Sequence, residues 1–276
     1  MSADHGDFDP SEIIGGLYGD GIVALSGAFP VPFVDQLRSE VDNLFAEALA
    51  TPGGAMPRGP QRFYVEVQPE RLPGFADIVS HPWMTAVCNA VLGSDFQFVE
   101  VGFDVPLPGA ADQPWHRDFA APASEPHGAR LSSLVLNMTL VDTRPEHGPF
   151  EIAPGTQWDN LTGSKAGMFP PRELWPRYIE RAERKLPNRG DISARTGLTI
   201  HRGTANRSNE PRPVLILGVV AADCTDAERH ILQMTDAFAE TLPGEVRAHL
   251  FFRPIERTGP IVQHHMIEGL LEAAYG

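Results

Sequence analysis

At 276 residues and 42% hydrophobic content the chain can bury a sizeable core, and its formal net charge of −14 weighs against nucleic acid, whose phosphates demand basic patches. No run of about 18 apolar residues is present to form a membrane helix, and Cys88 and Cys224 are too few and too isolated for a disulfide framework, so both read as reduced core thiols. Residues 1–10 are acidic and polar without a signal-peptide pattern, so the expected setting is cytoplasmic, with a small-molecule substrate, no nucleic acid, no membrane, and a monomer or homodimer as the assembly.

Residues 21–25 read as an opening strand. Residues 32–50 carry Val34, Leu37, Val41, Leu44, Phe45 and Ala48 at the helical period, which predicts an amphipathic helix against a sheet. The Gly- and Pro-dense stretch 51–60 is a loop, and 61–68 alternates like a strand. A second helix is expected over 81–92, stopped by Gly93. Residues 96–105 return to strand character, and the face carrying Gln97, Val99, Val101 and Phe103 is expected to point into the barrel. Residues 131–141 are nearly all apolar apart from Ser132, Ser133, Asn137 and Thr139. A mid-strand amide must find a partner, and for Asn137 both a neighbouring backbone group and a ligand remain open.

Further along, Leu174, Tyr178, Ile179, Ala182 and Leu186 predict a charged inserted helix over 171–186, which with 163–170 would lid the barrel mouth. Residues 198–201 and 212–220 read as strands joined by a loop holding Gly203, Asn206, Ser208 and Asn209. Folded as a hairpin, they would bring His201 and Arg212 together at the open end. Residues 226–242 and 264–274 are expected as helices outside the barrel. The whole reads as a mainly β single domain, 1–276, with a core at about 15–225 and a helical or irregular extension at about 226–276.

The chemistry concentrates in Trp115-His116-Arg117-Asp118, answered by His201 and then by Arg212. Two imidazoles and one carboxylate can hold a non-heme iron on one triangular face, leaving the other positions open. Residues i and i+2 of an extended strand point to one side, so His116 and Asp118 can reach one ion while Arg117 faces away. His-x-Asp alone is common, and a surface His and Asp in a polar turn is the plain alternative. Arg212 strengthens the pattern, because a dicarboxylate that chelates a metal at one end needs a bidentate cation at the other. That suits 2-oxoglutarate; the alternative for Arg212 is a surface pair with Glu210. The adjacent His264 and His265 would point about 100° apart on a helix and read as surface residues, while His127 and His147, in Pro- and Gly-rich loops near the expected mouth, read as solvent-facing with a substrate contact as the alternative.

The chain resembles the phytanoyl-CoA dioxygenase family of iron(II)/2-oxoglutarate oxygenases over roughly residues 15–225. The family's His, Asn at +5, Ser at +7 and Arg at +11 are matched by His201, Asn206, Ser208 and Arg212, and its Gly-Pro turn by Gly148 to Thr156. The pattern departs at Gln157-Trp158, where the family usually has His, a change expected to touch the substrate pocket. The resemblance implies a double-stranded β-helix (jelly-roll, cupin-like) core with flanking helices. It also implies Fe(II) on His116, Asp118 and His201, 2-oxoglutarate on Arg212, Asn137 and Thr204, and O2 as the second co-substrate. Gln97, Phe103, Trp115, Phe150, Trp158 and Arg62 are the candidate substrate-pocket residues.

The implied reaction is hydroxylation of an unactivated C–H with release of succinate and CO2. The acidic chain shows no basic cluster for a nucleotide, which points to a free small molecule, secondary metabolite or amino-acid-like, in place of an acyl-CoA. Asp118 stands where a halide would have to bind, which argues against halogenation. A jelly-roll metal protein of another activity, a 2-oxoglutarate-independent dioxygenase or isomerase, would have no use for Arg212. A non-catalytic ligand-binding member would be expected to lose a metal ligand, and this chain keeps all three.

Overall fold

A computed structural model describes residues 8–119, 130–161, 167–224 and 230–264. In chain order the strands that build the barrel are β1 (Ile22–Leu25), β2 (Met56–Pro57), β3 (Arg62–Glu66), β4 (Gln97–Pro106), β5 (Ser133–Thr139), β6 (Phe150–Ile152), β7 (Glu183–Arg184), β8 (Ile192–Arg195), β9 (His201–Gly203) and β10 (Val214–Val220). An antiparallel sheet of order β1-β8-β5-β10-β4-β3-β2 faces a smaller antiparallel sheet of order β7-β6-β9. This is a jelly roll, mainly β with helices on one side.

The helices α1 (Pro10–Gly19), α2 (Val31–Ala50), α3 (Phe75–Val79) and α4 (Pro82–Leu92) precede most of the sheet. Both long helices follow the sequence signals. α2 buries Val34, Leu37, Val41, Leu44, Phe45 and Ala48. α4 starts after His81, whose ring nitrogen accepts from Trp83 N at 3.2 Å, and ends at Gly93 with φ 96°. Their apolar stripes meet the outer face of the large sheet in one core with Val101, Phe103, Leu136, Leu215 and Leu217. Each fully buried side chain of this kind contributes roughly 1.5–3 kcal/mol.

That packing reverses the expectation for β4. Val99, Val101 and Phe103 face the helices, and the Phe103 ring meets Phe45 edge-on with centroids 6.4 Å apart. The interior of the barrel takes the polar set instead. Gly102 pairs with Ile216, Ile216 with Asn137, and Asn137 with Ser193, so one row of residues crosses four strands on the inner face. Asp104, Thr139 and Arg195 lie on the same face and line a cavity.

Several boundaries differ from the sequence reading. His201 and Arg212 do not close a hairpin: β9 pairs with β6 in the small sheet and β10 with β4 and β5 in the large one. The loop between them crosses from one sheet to the other. The expected helix over 171–186 shrinks to a 3-10 turn, Arg172–Leu174, and α5 (Trp175–Arg181). The chain then turns extended at Ala182, and Lys185 N donates to Phe150 O at 2.9 Å, so sheet bonds replace helix bonds.

Within 226–242 the described part holds β11 (Leu232–Thr235), paired in parallel with β12 (Phe252–Ile255), then α6 (Asp236–Thr241); α7 (Gly244–Ala248) lies between α6 and β12. His127 and the helix expected over 264–274, apart from His264, lie outside the described residues, as do 163–166 of the expected lid. Among the described residues no helix is long and apolar enough to cross a membrane.

The helix α1 was not expected, and it explains the Gln157-Trp158 departure. Asp9 caps its start by accepting from Ser11 N at 2.8 Å. At its other end Gln157 Nε2 donates to the carbonyls of Tyr18 and Gly19 at 2.9 and 3.1 Å. Trp158 Nε1 adds a bond to Tyr18 O at 2.9 Å. A helix terminus leaves such carbonyls without intrahelical partners, so the pair closes a helix and does not wall the substrate cavity. Replacing Gln157 with Leu is expected to cost about 1–3 kcal/mol, the scale for stranding buried polar partners. Chemical denaturation should show a lower midpoint with metal binding unchanged; an unaltered midpoint would refute the capping role.

Candidate metal centre and co-substrate cavity

His116 and His201 sit directly opposite each other across a bridge between the Trp115 segment and β9. Each backbone N–H donates to the other's carbonyl, at 3.0 and 2.9 Å. Such a directly facing pair projects both side chains to one side, and the ring centroids are 4.4 Å apart. After His116 the chain leaves the sheet, and Asp118 N donates to Gly197 O at 2.9 Å. The carboxylate is thereby brought to the imidazoles by a bend and not by a continuing strand. The ligand atoms of His116, Asp118 and His201 lie within 4.8 Å of one another.

Each imidazole is set by its other nitrogen. His116 Nδ1 lies 2.8 Å from Pro114 O and His201 Nδ1 2.8 Å from Thr199 O. A carbonyl only accepts, so each Nδ1 carries the proton and each Nε2 keeps its lone pair. Burial, then the neighbouring His201, pushes His116 down to about 3. Burial and Arg195 lower His201 as well, against the pull of Asp118. Burial by itself would raise the Asp118 carboxyl, but Arg195 and His201 override it and hold the group well below the ordinary range. Two neutral imidazoles and one carboxylate result. That donor set fits a divalent cation that takes nitrogen and oxygen.

The three ligands open on a cavity of about 440 Å³ lined by both sheets. Arg212 enters it from the start of β10, buried, with its Nε donating to Gly148 O at 3.1 Å. Beside it stands Arg62, whose Nη1 donates to Asp104 at 2.8 Å and whose Nη2 donates to Thr204 O at 3.1 Å. Burial, followed by repulsion from Arg62, lowers Arg212 to about 10, with Asp104 opposing. Arg212 therefore remains a cation at neutral pH. Two buried guanidiniums with one carboxylate between them make this part of the cavity a ready acceptor of an anion.

The motif residues Asn206 and Ser208 explain how Arg212 gets there. Asn206 Nδ2 donates to Pro106 O at 3.0 Å and to Glu210 O at 2.8 Å, and its Oδ1 accepts from Ser208 N at 3.0 Å and Ser208 Oγ at 2.7 Å. They order the crossing loop and do not touch the cavity. Gly148, at φ 73°, holds the Gly-Pro turn against that loop. A Cβ there would stand 2.5 Å from Thr204 O.

Of the sequence-proposed pocket residues, Arg62, Phe150 and Asn137 line the cavity with the triad and Arg212. Gln97, Phe103, Trp115, Trp158 and Thr204 do not. Gln97 is the first residue of β4, far along the strand from Asp104, and pairs with Val220. Trp115 is fully buried on the side opposite His116, against Tyr178 at 6.1 Å and under the guanidinium of Arg202. Thr204 spends its hydroxyl on Pro149 O at 2.7 Å and reaches the cavity only through Arg62. Arg117 faces away as expected and ties down the 156–159 turn through three backbone carbonyls.

Sequence reasoning missed Asp104, Ser193 and Arg195. The signal for the last two was the alternation of Ile192-Ser193-Ala194-Arg195, apolar residues outward and polar residues inward.

The fungal relative described as dioxygenase aneA, from Aspergillus aculeatus, is 29% identical over 178 residues, covering 58% of this chain. The chain spans only 55% of that relative's length. Dioxygenase cdmD from Talaromyces verruculosus is 24% identical over 245 residues, covering 80% of this chain and 76% of its own.

Among solved structures, the carbocyclase SnoK from nogalamycin biosynthesis superposes with a TM-score of 0.65 at 18% identity, covering 95% of this chain and all of its own. The epimerase SnoN, solved with Fe3+, α-ketoglutarate and nogalamycin RO, gives 0.64 at 19% identity, covering 93% of this chain and 98% of its own. HygX from Streptomyces hygroscopicus, solved with nickel and 2-oxoglutarate, gives 0.58 at 15% identity over 81% of this chain and 90% of its own. The phytanoyl-CoA dioxygenase family model matches residues 17–214, so the triad, the crossing loop and Arg212 all fall inside it, and the chain belongs to that family.

Proposed function

We propose that this dioxygenase uses Fe(II) and 2-oxoglutarate to hydroxylate an unactivated C–H bond of a free small molecule, a secondary metabolite or an amino-acid-like compound. One observation carries the reading: a triad with two neutral imidazoles opens on the same buried cavity as Arg212 and Arg62. When bound, iron and 2-oxoglutarate would supply the oxidation: O2 would take two electrons from 2-oxoglutarate, which becomes succinate and CO2, and two from the substrate C–H, one oxygen atom ending in succinate and one in the product. The redox chemistry belongs to these groups, and the protein contributes binding, orientation and exclusion of side reactions.

The residues divide that work by position. His116, Asp118 and His201 hold the metal. Arg212, steadied on Gly148 O and flanked by Arg62, takes the distal carboxylate of 2-oxoglutarate. Asn137, on the inner face beside Ile216, offers the amide that helps orient the co-substrate. Phe150 lies against His201 with centroids 5.2 Å apart and walls the reacting centre. At the mouth stand Ile22, Ala24, Leu186 and Pro187, an apolar rim suited to a substrate with an apolar body. The basic groups beside them are already engaged, Arg184 with Glu151 at 2.7 Å and Lys185 with Glu183 at 2.5 Å. Among the described residues only Arg58 lines the cavity as an arginine or lysine without a carboxylate partner or a ligand role, which is no cluster for nucleotide phosphates and supports a free substrate over an acyl-CoA.

Neighbours of the same fold include the carbocyclase SnoK and the epimerase SnoN. Anaerobic loading with Fe(II) and 2-oxoglutarate, then oxygen with a panel of small molecules, should yield succinate and a product carrying one added oxygen. With Asp118 in the place a halide would need, no chlorinated product is expected even in high chloride. Mass spectrometry decides both points: a chlorinated product, or turnover confined to CoA thioesters, overturns this assignment.

A further inference from the structure

The geometry points to Arg195 as a positioning residue that makes Asp118 a one-oxygen ligand and keeps a coordination position open; this rests on the metal reading above. Arg195 ends β8 in the large sheet, yet its guanidinium reaches across the cavity to Asp118, which follows the His116 bridge to the small sheet. Its Nη1 donates to Asp118 Oδ2, and its Nη2 donates a longer bond to Oδ1 at 3.4 Å. Oδ1 is also the oxygen beside His201, 3.3 Å from Nε2. Oδ1 therefore faces the His201 Nε2 lone pair and takes only the longer guanidinium bond, while Oδ2 takes the shorter one.

The rest of the surroundings fix that orientation. The Arg195 side chain is only 8% exposed, and its guanidinium carbon lies 5.5 Å from the Phe150 ring. The close approach of Oδ2 to the chain depends on Gly197, since a Cβ there would stand 3.1 Å from Asp118 Oδ2. A carboxylate can bind a cation through one oxygen or both. Held by a rigid guanidinium on Oδ2, Asp118 presents one. The position that the second oxygen would take then stays available to exchangeable ligands, which a two-His, one-carboxylate centre needs.

The test uses Mn(II) as probe on the full chain, with water-proton relaxation counting exchangeable waters on the metal. R195M removes the fork at similar length, and R195K keeps one cationic donor. With the wild type holding a triad and three open positions, a carboxylate binding through both oxygens in R195M should cut inner-sphere relaxation by about a third. R195K should recover most of it, and a crystal structure of Mn(II)-loaded R195M should show both Asp118 oxygens on the ion. Loss of Mn(II) binding in folded R195M, restored in R195K, would equally support positioning. If R195M and R195K both keep wild-type relaxation, with Asp118 bound through one oxygen, the proposal is overturned and Arg195 is only a structural ion pair. Failure of the metal reading itself looks different: the wild type would bind no Mn(II), or H201A would bind it as tightly.

Discussion

His201→Ala should weaken Fe(II) or Mn(II) binding by at least about 100-fold, since loss of a mere supporting group around a metal already costs about 10–100-fold. The fold should survive the change. His201 contributes its backbone to the bridge with His116, and those two bonds do not involve the side chain. Circular dichroism should therefore match the wild type while anaerobic metal titration fails to saturate in the same range.

Asp118→Ala makes a useful contrast. It removes a ligand and also strands the Arg195 guanidinium, so a stability loss of up to about 3 kcal/mol accompanies the lost metal, at the low end for broken buried pairs because Asp118 is 23% exposed. Equal metal affinity in His201→Ala and wild type would show that the three residues do not act as a triad.

The parts of this molecule readable from sequence are those where periodicity runs long enough to be distinctive. α2 shows its apolar stripe over 20 residues, and α4 is bracketed by His81-Pro82 and Gly93. β6, β7 and β9 span two or three residues each, too short for any period to appear, so the small sheet and the crossing loop were hidden. The inner face of β4 was misassigned for a different reason. A barrel with helices outside has its apolar face outward, toward α2 and α4, and its polar face toward the cavity, the reverse of a simple sandwich expectation.

At the site, the same alternation that pairs His116 with the metal sends Trp115 and Arg117 away from it, which rules out Trp115 as a pocket wall. α1 was announced by Asp9, Pro10 and Glu12, a capping residue with Pro at the first helical position and an acid in the first turn, yet over its ten residues only Ile13 and Leu17 are buried. Arg195 was the hardest to see, because its partner, Asp118, lies on the opposite sheet's side of the cavity and 77 residues away in sequence.

Arg212→Lys should raise the 2-oxoglutarate requirement tenfold or more while leaving metal binding near the wild-type level. Arg212 uses Nε to hold Gly148 O at 3.1 Å, which leaves the two Nη groups to face the cavity as a fork. A lysine carries the charge but cannot hold Gly148 O and present two parallel donors at once. Charge-assisted hydrogen bonds contribute roughly 1.5–3 kcal/mol each, and one lost bond on that scale is at least a tenfold change.

The surroundings identify which residue could compensate. Arg202 is committed to Glu151, with Nε at 2.9 Å and Nη2 at 2.8 Å, and Arg207 is exposed outside the cavity. Arg62 stands beside Arg212 in the same cavity, its Nη groups on Asp104 and Thr204 O, and its charge is the one that Arg212 feels most. Arg62→Met in the Arg212→Lys background should therefore deepen the defect, and titration of each variant with 2-oxoglutarate at fixed Fe(II) measures both effects. Unchanged co-substrate affinity in Arg212→Lys, with a large loss in Arg62→Met alone, would move the carboxylate site to Arg62. Unchanged affinity in both would remove 2-oxoglutarate from this end of the cavity.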